Sequence, residues 1–511
     1  MPNWFTFKTS DELLAKAREL GLSEDIGFES DISVLMQPVK IGGRTVGNRL
    51  AIHPMEGCDG EPDGQPGELT VRRWERFGDG GCKLIWGEAV AVLEEARANP
   101  RQLWIHPGSL KSTAAMVERL RQKHREAWGA CACEDLLVGC QLTHSGRYSY
   151  RKPLIAMRDP VVDPITMVAE QELARLSSRH TDGANTSVAP GKVPIPADYP
   201  VLSDDDLKRI EDAFIVAAKL AVQAGFDFLD LKQCHRYLLS ELLGCHTRPG
   251  PYGGSLENRT RLVRNIIGRI RSEVSKDVLI ATRMNMADFV PYMQAPAGTE
   301  AGATGVGVPR PYTTPYLWAF GVKRDDPLTP DLSEPRQVIA MLRDLGVCLF
   351  NLSIANPYNN PHFGRPFERP PVDGYDTPEH PLIGCARMFR LAGQLQQAFP
   401  DVPMLGTGYS WLQNFLVNVA AANVKQGKIT LAGVGRGAFA YPDFVKDLRD
   451  HGRMLKEKTC IADSCCTALM RSKGNEVGQY ASGCVPRDKV YVPIYKEAIT
   501  RYRAGNKPPE K

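Results

Sequence analysis

Long hydrophobic runs are missing from this 511-residue chain: no stretch reaches the ~18 consecutive apolar residues of a membrane-spanning helix, which argues against a membrane span. The opening, MPNWFTFKTSDELLAKAREL, places acids where a secretory signal would carry its apolar core, so the chain reads as cytoplasmic. An excess of one charge is missing too. Lys and Arg number 63 against 59 Asp and Glu, a net charge of +4, and no basic run interleaves with aromatics. That leaves little to attract a nucleic-acid backbone. The 13 cysteines are an odd number scattered from Cys58 to Cys484, so they read as mostly reduced and buried. There is no P-loop, internal repeat or low-complexity tract. Prolines, not a helix, follow Gly302-x-x-Gly305-x-Gly307, which argues against a dinucleotide fingerprint.

What is present, 43% hydrophobic and 24% charged residues, suits a large globular core. Short β-branched runs alternate with amphipathic segments, the pattern of βα units around a parallel sheet. Eight candidate strands cover 48–55, 83–90, 136–144, 228–235, 278–285, 347–354, 402–408 and 429–436. Candidate helices lie at 204–224, behind a Ser203-x-x-Asp206 capping signal, at 257–274, and from Ser333, with Pro335 in the first turn. Eight units predict an α/β fold, a (β/α)8 TIM barrel over 36–455, with an N-terminal extension (1–35) and a Cys-containing C-terminal extension (456–511). Long connections at 145–202, 286–332 and 355–380 must emerge at the C-terminal rim, where lids are expected. Residues 39–46 read as a hairpin on Gly42-Gly43 that plugs the barrel floor. The Pro/Gly/Ala-rich section 295–315 reads as irregular.

The strand ends collect His53-Pro54-Met55-Glu56, Gly87-Glu88-Ala89, Gln141-Leu142-Thr143-His144, Lys232-x-x-His235-x-Tyr237, Arg283, Gly406-Thr407-Gly408 and Gly433-Val434-Gly435-Arg436. Glycines after strands seven and eight, with Arg436, match the needs of a barrel phosphate site; tight turns are the alternative. The chain resembles the old yellow enzyme family of FMN-dependent oxidoreductases over nearly all of 36–455. The resemblance rests on Arg49 with Pro54-Met55, on Gln141-Leu142-Thr143-His144-Ser145-Gly146-Arg147, and on Tyr252-Gly253-Gly254-Ser255-Leu256-Glu257-Asn258-Arg259. It implies that Pro54, Met55, Glu56, Ala89, Gln141 and Arg283 hold the isoalloxazine ring and that Gly408, Gly435 and Arg436 hold the phosphate. Gln141 can offer both a donor and an acceptor to the pyrimidine edge, and Arg283 a permanent positive charge.

The resemblance also implies a pair of substrate donors at the end of strand four and a tyrosine proton donor beyond them. Family members usually carry His-x-x-Asn or His-x-x-His there; this chain has Lys232 and His235, followed by Tyr237. A lysine can donate to a developing oxyanion with full charge, and a phenol stays protonated at neutral pH. Lys232 also admits a snorkelling or structurally paired reading, and Tyr237 a packing one. Glu56 stands where relatives commonly have Thr or Cys. An ionised carboxylate against a reduced flavin is unfavourable, so Glu56 is expected to be protonated, turned away or paired, most simply with Lys232.

Beyond the barrel, Cys460-Ile461-Ala462-Asp463-Ser464-Cys465-Cys466 and Cys484 resemble the iron–sulfur segment of 2,4-dienoyl-CoA reductase and trimethylamine dehydrogenase. Asp463 replaces the second cysteine, and Cys465 and Cys466 are adjacent, which argues against a 4Fe–4S cluster and leaves no metal assigned. The further nucleotide-binding domains of those relatives are not found before Lys511. The expected scheme is therefore an ene-reductase type NAD(P)H:flavin oxidoreductase in which NAD(P)H reduces FMN and an activated alkene, enone or enoate, is then reduced. Three alternatives stay open: an amine or N-methyl dehydrogenase, a flavin-free Schiff-base lyase using Lys232, and a flavoprotein that has lost catalysis and binds or senses a ligand, since two active-site positions depart from the commoner pattern. Partners are a small-molecule substrate and a possible second copy of the chain; the helix-like 492–503 either caps the barrel or reaches that second copy.

Overall fold

The computed structural model describes residues 4–173, 192–297, 305–371 and 374–505. Eight parallel strands close into a barrel in chain order: Leu50–Ile52, Leu84–Ala91, Leu137–Thr143, Phe228–Leu231, Leu279–Asn285, Val347–Ser353, Met404–Gly406 and Leu431–Val434, the last pairing with the first. Each lies within one residue of an expected strand, because short, fully buried, β-branched runs between helices have few other uses.

The fourth strand stops at Leu231, four residues before the expected end. Isolated ladder contacts carry on through Lys232, whose N–H donates to Leu142 O at 3.2 Å, and Gln233, which bridges Met284; beyond them His235 and Arg236 have φ of 64° and 59°, left-handed values that cannot continue a strand and cost non-glycine residues roughly 1–3 kcal/mol each. Such strain concentrates at functional sites, and here the turn after Lys232 sets His235 and Tyr237 beside it at the barrel mouth.

Among the helices, Asp204–Gln223 starts on Ser203, whose side chain and that of Asp206 form the expected reciprocal cap. Ser333–Asp344 also starts where expected. The segment read as one helix over 257–274 is instead Leu256–Arg259, Arg261–Arg269 and a wider turn at Ile270–Val274. Thr260 Oγ1 donates back to Leu256 O at 2.8 Å, a competing bond that bends a helix.

The floor hairpin forms from Val39–Ile41 and Arg44–Val46. Ile41 and Val46, at most 1% exposed, join Leu84, Trp86, Leu137 and Phe228 in the inner apolar cluster. Full burial of such side chains stabilises by roughly 1.5–3 kcal/mol each, so the hairpin is a plug. The N-terminal extension packs into the main core through Phe5, Phe7, Leu13 and Ile26; Glu368 accepts from the backbone N–H of Trp4 at 2.8 Å.

After strand three, Met167–Ala169 pairs antiparallel with Lys192–Pro194. Buried Arg147 pins this insertion, donating to Asp163 at 2.6 Å and Glu241 at 2.7 Å. After strand five, Tyr292–Gln294 pairs with Gly307–Pro309. Part of the section read as irregular, 298–304 with Gly302, lies outside the described residues. The C-terminal extension folds back over the barrel mouth. Ser482 N–H donates to Gly57 O at 2.6 Å, and helix Tyr491–Gly505 packs through Tyr491 and Ala498 on Leu469, Tyr480 and Leu69. Among the described residues no helix is long and apolar enough to cross a membrane.

Beneath that docking point lies a buried charge cluster. Arg73, on the helix Glu68–Gly80, bridges Asp59 and Glu88, all at most 5% exposed. Glu88 also accepts from Trp74 Nε1 at 3.1 Å and from Gly57 N–H at 3.2 Å. The segment after strand one is thus tied to the barrel wall and to the extension.

Candidate active site

A cleft at the C-terminal mouth of the barrel encloses about 1180 Å³, open solvent at its entrance included. It is lined by Pro54, Met55 and Glu56 after strand one, Gln141 in strand three, and Lys232, His235 and Tyr237 after strand four. Arg283 comes from strand five, Gly408 follows strand seven, and Gly435 and Arg436 follow strand eight. Ala89 is the one expected site residue that does not line it. The second strand is irregular between Trp86 and Ala89, so the alternation of faces does not carry through, and Ala89 O accepts instead from Gln102 Nε2 at 3.2 Å.

The reacting end is crowded with charge. Lys232 Nζ stands 3.7 Å from the centroid of the Tyr237 ring, a cation–π contact, and 3.8 Å from Glu56 Oε1. Glu56 and Lys232 form an ion pair, but the separation exceeds direct hydrogen-bond reach. Burial pushes the Lys232 ammonium below its ordinary pKa, against the pull of Glu56, and pushes the Glu56 carboxyl up, against the pull of Lys232. Asn99 Nδ2 donates to the other Glu56 oxygen at 3.4 Å. His235 Nε2 lies 3.0 Å from Ser353 Oγ, and burial, then Arg283 and Lys232, hold it neutral.

Tyr237 is 1% exposed. Burial keeps its phenol protonated well beyond the ordinary range, and its hydroxyl meets that of Tyr358 at 2.9 Å. Tyr358, on the connection after strand six, was not singled out by the sequence, and neither were Cys466, Thr467, Met470 and Ser482 of the C-terminal extension, which also line the cleft. Tyrosines beyond strand six had no motif to mark them. The extension residues could be found only by knowing where that segment docks.

The rest of the cleft suits an anionic cofactor. Gly408 has φ of 102°, a left-handed backbone conformation that favours glycine. Among the described residues, Arg436 Nη1, Arg283 Nε and His53 Nε2 are buried polar atoms without a partner. Two guanidinium groups, a glycine-lined approach and the Gln141 amide make a donor set that fits a phosphate-bearing flavin.

Of the tail cysteines, Cys466 lines the cleft while Cys460 and Cys484 are buried. Burial pushes the Cys460 thiol up to about 11, so without a metal it stays protonated at neutral pH. Among the described residues no three His, Cys, Asp or Glu side chains group to hold a metal ion. Protein purified anaerobically is expected to carry negligible iron and sulfide by elemental analysis; stoichiometric amounts of both would contradict the reading of Asp463 as a lost ligand.

Comparison with known proteins accords with this geometry. The chain is 29% identical over 265 residues to NADH:flavin oxidoreductase FG08077 of Gibberella zeae, covering 50% of this chain and 57% of that protein. It is 27% identical over 284 residues to NADPH dehydrogenase of Geobacillus sp., covering 51% and 68%. The old yellow enzyme homologue of Zymomonas mobilis superposes with a TM-score of 0.53 at 17% identity, covering 83% of this chain and 94% of that one, a likeness of fold. The match thus spans little more than half the length of the Gibberella relative. The model of the NADH:flavin oxidoreductase / NADH oxidase family matches residues 34–305, more than half of the chain, and the chain belongs to that family.

Proposed function

We propose that this chain binds FMN and uses NAD(P)H to reduce an activated alkene. Pro54, Met55, Glu56, Gln141 and Arg283 would hold the flavin ring, with Ala89 contributing backbone at most, and Gly408, Gly435 and Arg436 the phosphate. FMN, when bound, supplies the hydride-transfer chemistry. The chain's own residues then bind and polarise the substrate and deliver the proton. The observation that carries the reading is that Lys232, at the strand end, and His235 and Tyr237, on and after the strained turn that follows, line one cleft with Arg283. Lys232 offers a charged donor to a carbonyl or carboxylate oxygen on the substrate, and neutral His235 a weaker one. Tyr237 holds its proton at Oη until a strong carbon base demands it, since burial disfavours the phenolate. Alkenes activated by a carboxylate or a carbonyl therefore fit best. Mixing anaerobically reduced protein with 2-cyclohexenone tests this: oxidised-flavin absorbance should return, and its failure to return with any enone or enoate would overturn the assignment.

A second reading, amine oxidation, draws on Glu56, whose carboxylate could receive an ammonium, and on 25% identity over 295 residues to dimethylamine dehydrogenase of Hyphomicrobium sp., covering 57% of this chain and 35% of that protein. Lys232, 3.8 Å from that carboxylate, repels such a substrate. Dimethylamine should therefore leave the oxidised protein unreduced.

The phosphate assignment predicts that Arg436→Ala weakens FMN retention. Charge-assisted hydrogen bonds contribute roughly 1.5–3 kcal/mol each, so the FMN dissociation constant should rise about tenfold or more by fluorescence titration of the apoprotein. An unchanged constant would remove Arg436 from the phosphate site.

A further inference from the structure

One buried carboxylate beneath the cleft has no part in the functions described so far. Asp230, in the fourth barrel strand, is fully buried and accepts hydrogen bonds from three other strands. Its Oδ2 receives Gln141 Nε2 at 2.5 Å and Trp86 Nε1 at 2.7 Å, and its Oδ1 receives the backbone N–H of Arg283 at 2.7 Å. Gln141 and Arg283 line the cleft; Asp230 does not.

An amide side chain is ambiguous by rotation, since exchanging its oxygen and nitrogen changes a donor into an acceptor with almost no change of shape. A carboxylate removes the ambiguity because it only accepts. With Asp230 beside it, Gln141 must turn its nitrogen inward, and one orientation of its oxygen and remaining N–H is fixed. The same carboxylate holds the backbone of Arg283. We propose that Asp230 is a positioning residue that locks the Gln141 amide in the single orientation that recognises the pyrimidine edge of the flavin, an inference that rests on FMN as the cofactor.

Burial pushes the Asp230 carboxyl up to about 6, so it is the acceptor-only form at neutral and alkaline pH. Asp230→Asn would replace one acceptor by a donor and free the glutamine to rotate. Its effect should therefore pass through Gln141, and a double-mutant cycle isolates that dependence.

The experiment titrates FMN into apoprotein at pH 8 by fluorescence quenching, for the wild type, Asp230→Asn, Gln141→Ala and the double variant, with the melting temperature of each apoprotein recorded alongside. Each single variant should weaken binding about tenfold to a hundredfold. The double variant should bind no more weakly than Gln141→Ala alone. Losses that multiply would mean that Asp230 supports the barrel independently of Gln141, and the proposal would fall. If Asp230→Asn does not fold, the same cycle with Asp230→Glu decides by the same criterion, since the longer arm displaces the acceptors while keeping the charge. A wild-type apoprotein that takes up no FMN would instead defeat the cofactor reading, and with it this inference.

Discussion

Lys232→Met should slow oxidation of the reduced protein by an alkene about 10²–10³-fold at saturating alkene, the usual cost of one donor aimed at a developing oxyanion. Methionine keeps the length of the lysine and loses its charge. Reduction by NAD(P)H should change by only a few-fold, because the nicotinamide donates hydride and develops no oxyanion. Two contacts sharpen the expectation: the ammonium lies 3.7 Å from the Tyr237 ring and 3.8 Å from Glu56. Neither is a direct hydrogen bond, so its N–H donors remain available to a substrate oxygen. Glu56→Gln serves as the control, since it removes the ion-pair partner and leaves the donor. Stopped-flow measurement of the two half-reactions separates the outcomes. Equal slowing of both by Lys232→Met would mean that the lysine organises the pocket through Glu56 and Tyr237 and does not polarise the substrate.

Arg73→Leu should destabilise the fold by roughly 3–5 kcal/mol, the range for removing one member of a buried ion cluster and stranding its partners. Asp59 and Glu88 have side chains at most 5% exposed and share this one guanidinium. Without it, two carboxyl groups must be neutralised or exposed. The consequence reaches the cleft, because Glu88 also holds Gly57 N–H, the residue next to Glu56, and Gly57 O receives the C-terminal extension. FMN retention should fall together with stability. Denaturant unfolding of Arg73→Leu and of the triple variant with Asp59→Asn and Glu88→Gln checks the cause: the triple variant should recover a large part of the loss. A single variant as stable as the wild type would show that the cluster is energetically neutral.

The barrel was legible because its signal is local. A strand such as Leu137–Thr143 is a short buried run between helices, and hairpin 39–46 is announced by two glycines at its turn. The cleft was legible where a lining residue sits in its own strand, as Gln141 and Arg283 do, or just after it, as Arg436 does, since the C-terminal end of a barrel strand fixes where its residues point. Legibility failed where position depends on distant docking. Tyr358 reaches Tyr237 from another connection, and Cys466 and Met470 reach the cleft only because the extension folds back on Gly57. Ala89 does not line the cleft for a different reason, an irregular strand that breaks the two-residue alternation. The Glu56–Lys232 contact was expected to be within hydrogen-bond reach and is not: the head groups stand 3.8 Å apart, because charge compensation specifies proximity without specifying a hydrogen bond.

The central claim is that this cleft holds FMN and passes reducing equivalents from NAD(P)H to an alkene, and anaerobic spectroscopy of the purified protein tests it most directly. The protein should carry, or take up, one FMN per chain, lose its oxidised-flavin absorbance on addition of NAD(P)H, and regain it on addition of an enone. A colourless protein that takes up no FMN, and that borohydride traps covalently through Lys232 with a carbonyl compound, would contradict the account and establish the Schiff-base chemistry in its place.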